Sequence, residues 1–183
     1  IEKAGPFNGH PLTGPVYIRD AAPGDGLAIK IVAMEIASTF GWTAMRSGAG
    51  LLPVNELPGS YLQIWDLSDG THAHMRQRKD IAVPVASFPG VMGNALAEAG
   101  SHSTKPPRAT GGNMDNKHLT VGSTLYLPIQ VEGALFSTGD AHAAQGDGEC
   151  CVTAIETWSK LTLKFDLVSM KGVQEPQLRT SGP

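Results

Sequence analysis

"STLYLPIQVEGALFSTGD", residues 123–140, decides the fold class. Leu125, Leu127 and Ile129 recur every second residue, which is the period of a half-buried strand and not of a helix. "VEGA" then reads as a tight turn that delivers the chain into Leu135, Phe136 and the polar end "STGD". Working outward, "CCVTAIETWSKLTLKFDLV" (150–168) reads as two further strands, with Leu161, Leu163, Phe165 and Leu167 in alternation. Towards the N-terminus, "PVYIRDA" (15–21), "GLAIKIVAMEIA" (26–37), "YLQIWDL" (61–67) and "IAVPVASF" (81–88) have the same character. Pro84 cannot donate to a ladder and makes the last of these an edge or a bend. With 22 Gly and 13 Pro at short intervals, long helices have little room; "MGNALAEA" (92–99) is the one short helical expectation. The pattern implies one mainly-β domain over residues 1–183, of sandwich or barrel character with few short helices.

Composition excludes several function classes. The formal charge of −3 and the shortness of "RQRK" (76–79) argue against a nucleic-acid-binding face. No apolar run is long enough for a membrane-spanning helix, so no membrane role is expected. Charged residues make up only 17% of the chain, low enough to suggest surface covered in a homo-oligomer. The two cysteines, Cys150 and Cys151, are adjacent, a poor arrangement for a disulfide, and read as free thiols in a reducing, cytoplasmic setting.

Three polar clusters could carry chemistry. "SDGTHAHM" holds Asp69, His72 and His74, a His-x-His pair on one strand face, which reads more simply as two exposed or hydrogen-bonded histidines. "GGNMDNKH" (111–118) holds Asn113, Asp115, Asn116 and His118, residue types that also serve turns. "GDAHAAQGDGE" (139–149) crowds Asp140, His142, Gln145, Asp147 and Glu149 together directly after the strongest strand. Asp140 and His142 are two apart, and "QGDG" can reverse the chain and return Glu149 towards them. A histidine among carboxylates suits a divalent metal that activates water, or a metal-free acid/base pair. The glycines alternatively suit a backbone nest for an anion. A nucleotide is excluded because the Lys and following helix of a phosphate loop are missing, and the twelve-residue calcium loop is missing too. The cysteines lack a basic neighbour, and there is no G-x-S-x-G elbow, so a covalent nucleophile is not expected. Trp42, Trp65 and Phe136 are pocket-wall candidates that serve equally as core.

The wording of these stretches adds to their spacing. "HPLTGPVYIRDAAPGDGLAIKI" (10–31), "PPRATGGNMDNKHLTVGSTLYLPIQVEGALFSTGDAHAAQGDGE" (106–149) and "TAIE" (153–156) resemble the acetamidase/formamidase family, with weaker matches at "GWTAM", "IWDL" and "FPGVMG" in the expected order. The resemblance implies a cytoplasmic, homo-oligomeric, β-rich amidase that hydrolyses short aliphatic amides such as formamide and acetamide. Family members are longer, so the chain looks truncated at both ends. The matching positions are Asn113, Asp115, Asp140, His142, Gln145, Asp147 and Glu149. The expected roles are Asp115, Asp140 and His142 as metal ligands, and Glu149, His142 and Asp147 as catalytic groups. Asn113 and Gln145 are expected to donate hydrogen bonds to the substrate. The expected cofactor is a divalent metal, zinc or alternatively calcium or magnesium, with no nucleotide or organic cofactor. The competing expectation is a non-catalytic ligand-binding or scaffold β domain, or a calcium-stabilised one.

Overall fold

The computed structural model describes residues 9–56, 59–169 and 174–182. In chain order the strands are β1 (Leu12–Val16), β2 (Asp25–Ile36), β3 (Phe40–Arg46), β4 (Ser60–Asp66), β5 (His72–Met75), β6 (Ala82–Pro84) and β7 (Phe88–Gly93). They continue as β8 (Gly111–Asn113), β9 (Thr124–Pro128), β10 (Phe136–Ala144), β11 (Ile155–Thr157), β12 (Ser159–Ser169) and β13 (Gln177–Arg179). All the pairings are antiparallel, and the strands form two sheets. The larger runs β6-β5-β4-β3-β11-β10-β7-β8, with β1 also paired to β10, and the smaller runs β12-β2-β9-β13.

The alternation read from the sequence becomes the core between these sheets. Leu27, Ile29 and Ile31 of β2 and Leu125 and Leu127 of β9 meet Phe88 and Met92 of β7 and Phe136 of β10. Each such fully buried side chain stabilises the fold by about 1.5–3 kcal/mol. Leu161, Leu163 and Phe165 of β12 pack on the same core, and the Phe165 ring meets Phe136 edge-on at 5.2 Å. A second cluster (Leu67, Ala73, Ala143, Ala144 and Ile155) fills the far end with Trp65 against it. Phe136 and Trp65 are therefore core residues. Pro84 ends β6, the edge strand of the larger sheet.

One expectation fails. No helix occurs among the described residues, including 92–99, which continue β7 and then run as loop. The Asn94 and Ala95 amides donate to the carbonyls of Thr110 and Ala134, long-range partners that replace the local bonds a helix would need. Among the described residues no helix is long and apolar enough to cross a membrane.

β10 positions the candidate site. One edge pairs with β7 along its length, from Ser137–Gly93 to His142–Phe88. The other edge pairs first with β1 and then with β11. Asp140 sits at that changeover in a left-handed conformation (φ 58°), across from Gly90 of β7. Aspartate tolerates this region better than most residues do, and the local twist turns its carboxylate towards His142.

Candidate active site

His142 is fully buried at the end of the sandwich, with its ring edge-on to Phe88 at 5.0 Å. Its Nε2 lies 3.3 Å from Asp140 Oδ2, 3.3 Å from Glu156 Oε2 and 3.8 Å from Glu149 Oε1. Asp115 completes the group: its carboxylate, Asp140 and His142 place donor atoms within 4.8 Å of one another, as do His142, Glu149 and Glu156. The members arrive from four places: β10 supplies Asp140 and His142, β11 supplies Glu156, the loop after β8 supplies Asp115 and the loop after β10 supplies Glu149.

Gly90 is the floor of this cluster. A Cβ there would lie 2.6 Å from Asp140 Oδ2, 2.8 Å from Asp115 Oδ1 and 2.9 Å from His142 Cε1. Its carbonyl also accepts the amides of Met114 and Asp115, which sets the direction of the Asp115 loop.

Four carboxylates around one imidazole are an unstable burial unless something balances them. Burial pushes the pKa of Glu149 up to about 7, with Asp115 adding to the rise. Asp115 is also raised, chiefly by burial. Burial is the largest single influence on His142 and acts against its charge, but the close approach of Asp140 and then Glu156 outweighs it and lifts the pKa to about 10. Burial likewise works to raise Asp140, yet His142 holds it below the usual carboxylate range. Both nitrogens of His142, Asp115 Oδ1, Glu149 Oε1 and Gln145 Oε1 are buried without a hydrogen-bond partner. Buried polar atoms normally have partners. An imidazole and several acidic oxygens converging unpaired fit a divalent cation in donor type and in charge.

Two openings reach the cluster. One, of about 450 Å³, is lined by Asp115, Gln145 and Glu149, with Lys117, His118 and Asp147 also in its lining. The other, of about 660 Å³, ends on Asp140 and Glu156 and is walled by Trp42, Trp158, Pro11 and Pro89.

Most of the sequence-predicted residues are brought together: Asp115, Asp140, His142, Gln145 and Glu149. Asp147 is not among them. The "QGDG" turn carries it into solvent, where its 90%-exposed carboxylate pairs with Lys117 Nζ at 2.7 Å. The Asn113 side chain donates to the Lys105 carbonyl and lines neither opening. Gln145 donates to the Asp115 carbonyl, so the atom it leaves unpaired is an acceptor oxygen and not the expected donor. The sequence reading missed Glu156, which faces His142 directly across the β10–β11 pair. It also missed His10, whose Nε2 is 4.0 Å from Asp140 while Thr104 holds its other ring nitrogen. Both lie in quoted motifs, "TAIE" and "HPLTGP", but only strand pairing reveals their direction. His72 and His74 stand apart on β5, the first exposed and the second half-exposed.

A family model for the Acetamidase/Formamidase family matches residues 5–99 and 94–181. Acetamidase of Mycolicibacterium smegmatis is 30% identical over 234 aligned residues, covering 95% of this chain and 57% of that protein. Formamidase of Methylophilus methylotrophus is 27% identical over 228, covering 94% and 56%. The crystal structure of a predicted acetamidase/formamidase from Thermoanaerobacter tengcongensis superposes with a TM-score of 0.85 at 35% identity, over 93% of this chain and 55% of that one. The chain thus spans a little over half the length of the relatives it matches.

Proposed function

The chain belongs to the acetamidase/formamidase family, and from that premise we propose that the His142 cluster hydrolyses carboxamides to ammonia and a carboxylate. The observation that carries this reading is the buried convergence of unpaired donor atoms around His142, beside carboxylates that line two clefts. Amides resist attack because the nitrogen donates into the carbonyl, so water needs a base and the leaving nitrogen needs a proton. Glu149 is suited to both tasks, since a carboxyl with a pKa of about 7 can take and return a proton near neutrality. It removes a proton as the water oxygen adds to the carbonyl carbon, then passes it to nitrogen as the C–N bond breaks. Gln145 Oε1, an unpaired acceptor, holds the N–H of the substrate amide. His142, Asp140 and Asp115, with Glu156 in support, would hold a divalent metal. Zinc suits the imidazole, and calcium or magnesium suits the carboxylates. When bound, such an ion polarises a carbonyl and acidifies water.

The same reading treats residues 1–183 as one domain, in a cytoplasmic homo-oligomer. Exposed Leu51, Val54, Leu62 and Val152 around the β3–β4 hairpin suit a subunit interface, and Cys150 and Cys151 are free thiols. Sedimentation analysis checks the assembly. The test of function is ammonia release from formamide, acetamide and larger carboxamides by the purified chain, with Glu149→Gln beside it. Turnover that falls about 100-fold or more in the variant supports the reading. Binding of amides without any turnover supports the alternative, a ligand-binding or scaffold domain.

A further inference from the structure

We propose that His10 is a positioning residue of the candidate site: held by Thr104, its Nε2–H fixes the direction of the Asp140 carboxylate. This rests on the reading of the His142 cluster as a metal-holding amidase site, and adds to it a residue from outside the cluster.

Two close approaches deliver His10 to this place. It precedes β1, whose Leu12 pairs with Gly139, the residue before Asp140. A Cβ on Gly139 would lie 2.5 Å from the Pro11 carbonyl oxygen, so the missing side chain is what lets this stretch lie against β10. Gly9 does the same on the other side: its φ of +140° suits glycine, and a Cβ there would overlap the Thr104 hydroxyl. Thr104 Oγ1 accepts the His10 amide at 2.7 Å and meets Nδ1 of the ring at 3.1 Å. The Asn113 side chain donates to the next carbonyl, that of Lys105, at 2.8 Å, and ties the same segment to β8.

The bonding capacity of Thr104 decides which ring nitrogen carries the proton. A hydroxyl has one proton to give. Oγ1 already accepts the His10 amide, and its own proton goes to Nδ1. The ring proton is then on Nε2, the nitrogen that lies 4.0 Å from Asp140 Oδ2. The other tautomer would turn a lone pair towards a carboxylate. At 4.0 Å the contact is longer than a hydrogen bond, but active-site contacts are often long before substrate arrives and tighten in the complex. Both groups are largely buried, so their attraction is screened less than that of a surface pair. Asp140 needs such a partner, because its left-handed backbone (φ 58°) stands where β10 changes from β1 to β11. Its other imidazole neighbour, His142 Nε2 at 3.3 Å, cannot donate to it while binding a cation.

The experiment compares wild type with His10→Asn, His10→Gln and Thr104→Ala. It reads the zinc dissociation constant, by competition with a chromogenic chelator, and kcat and KM for formamide. The Asn amide reaches the Nδ1 position and can keep the Thr104 bond, whereas the Gln amide reaches the Nε2 position and can keep the Asp140 contact. His10→Asn should weaken zinc binding and lower kcat, each by about 10- to 100-fold, with KM little changed and the melting temperature unaltered. His10→Gln should recover most of both losses, and Thr104→Ala should fall between. Wild-type zinc affinity and kcat in His10→Asn overturn this inference and leave the amidase reading standing. Equal losses in His10→Asn and His10→Gln also overturn it, because they mark packing and not a donor at Nε2. A wild type with neither zinc binding nor turnover overturns the reading of the cluster, and this inference with it.

Discussion

Two regions of this molecule place histidine beside carboxylate, and the fold treats them in opposite ways. At the turn into β5, Asp69 Oδ1 accepts the amides of Thr71 and His72, each at 2.7 Å, and Oδ2 meets His74 Nε2 at 2.7 Å. That cluster is exposed and its hydrogen bonds are made. On β10, His142 is fully buried, faces acidic oxygens at 3.3, 3.3 and 3.8 Å, and has no hydrogen bond on either nitrogen. Both join an aspartate and a histidine within a few residues of chain. What separates the turn-stabilising cluster from the candidate site is burial combined with unmet bonding capacity, since buried polar groups normally have partners.

The largest expected effect sharpens this contrast directly. His142→Asn should lower kcat for carboxamide hydrolysis about 1,000-fold or more, while His74→Asn, the matched change at the exposed cluster, changes it less than about twofold. Steady-state kinetics on both variants, with circular dichroism to confirm the fold, checks the pair. Comparable losses in the two would break the distinction.

Glycines provide the next comparison. Gly90 needs no unusual backbone conformation, so Gly90→Ala perturbs the site chiefly through the added methyl, which meets Asp140, Asp115 and His142 at under 3 Å. Displacing groups by about an ångström can cost on the order of 100-fold in rate, and that is the expected loss. Gly70, beside Asp69, is the reverse: its φ of +70° disfavours a side chain, but nothing lies within 4 Å. Gly70→Ala should lower stability by about 1–2 kcal/mol and leave activity alone. Thermal melts and kinetics on both distinguish the two mechanisms.

The pH responses should also diverge. With its pKa raised to about 7, Glu149 acts as a base only when deprotonated, so activity should rise about tenfold per unit up to about pH 7 and then level. For stability the sign is opposite. Glu149 binds its proton more tightly in the folded chain, so its contribution is full below its ordinary value of 4.5 and is lost as pH rises through about 7. Asp69, held well below the usual range first by the His72 amide and then by His74, contributes above its ordinary value and loses that contribution on acidification. Glu149→Gln should flatten the rate profile and the neutral-pH part of the stability curve, and pH-dependent melts with kinetics check this.

The elements were legible where alternation was clean. The runs that became β2, β9, β10 and β12 each bury one face against the opposite sheet. The short helix expected at 92–99 failed because Asn94 and Ala95 bond to residues distant in the chain. At the site, Asp115, Asp140, His142 and Glu149 were readable from composition and from family wording. Glu156 was not, because its position depends on which strand pairs with β10, and Gly90 was not, because an absent side chain leaves no chemical signal. Asp147 misled for the complementary reason: its spacing suits a site, but the turn that carries it points outwards.

Ammonia release from carboxamides by chelator-treated protein, before and after a divalent cation is restored, measures the role of the His142 cluster. Turnover should be lost on chelation and recovered with zinc or another divalent ion. Full turnover after chelation, with no metal found by elemental analysis, would contradict the metal-holding role of His142, Asp140 and Asp115. Absence of turnover under every condition would contradict the amidase reading itself.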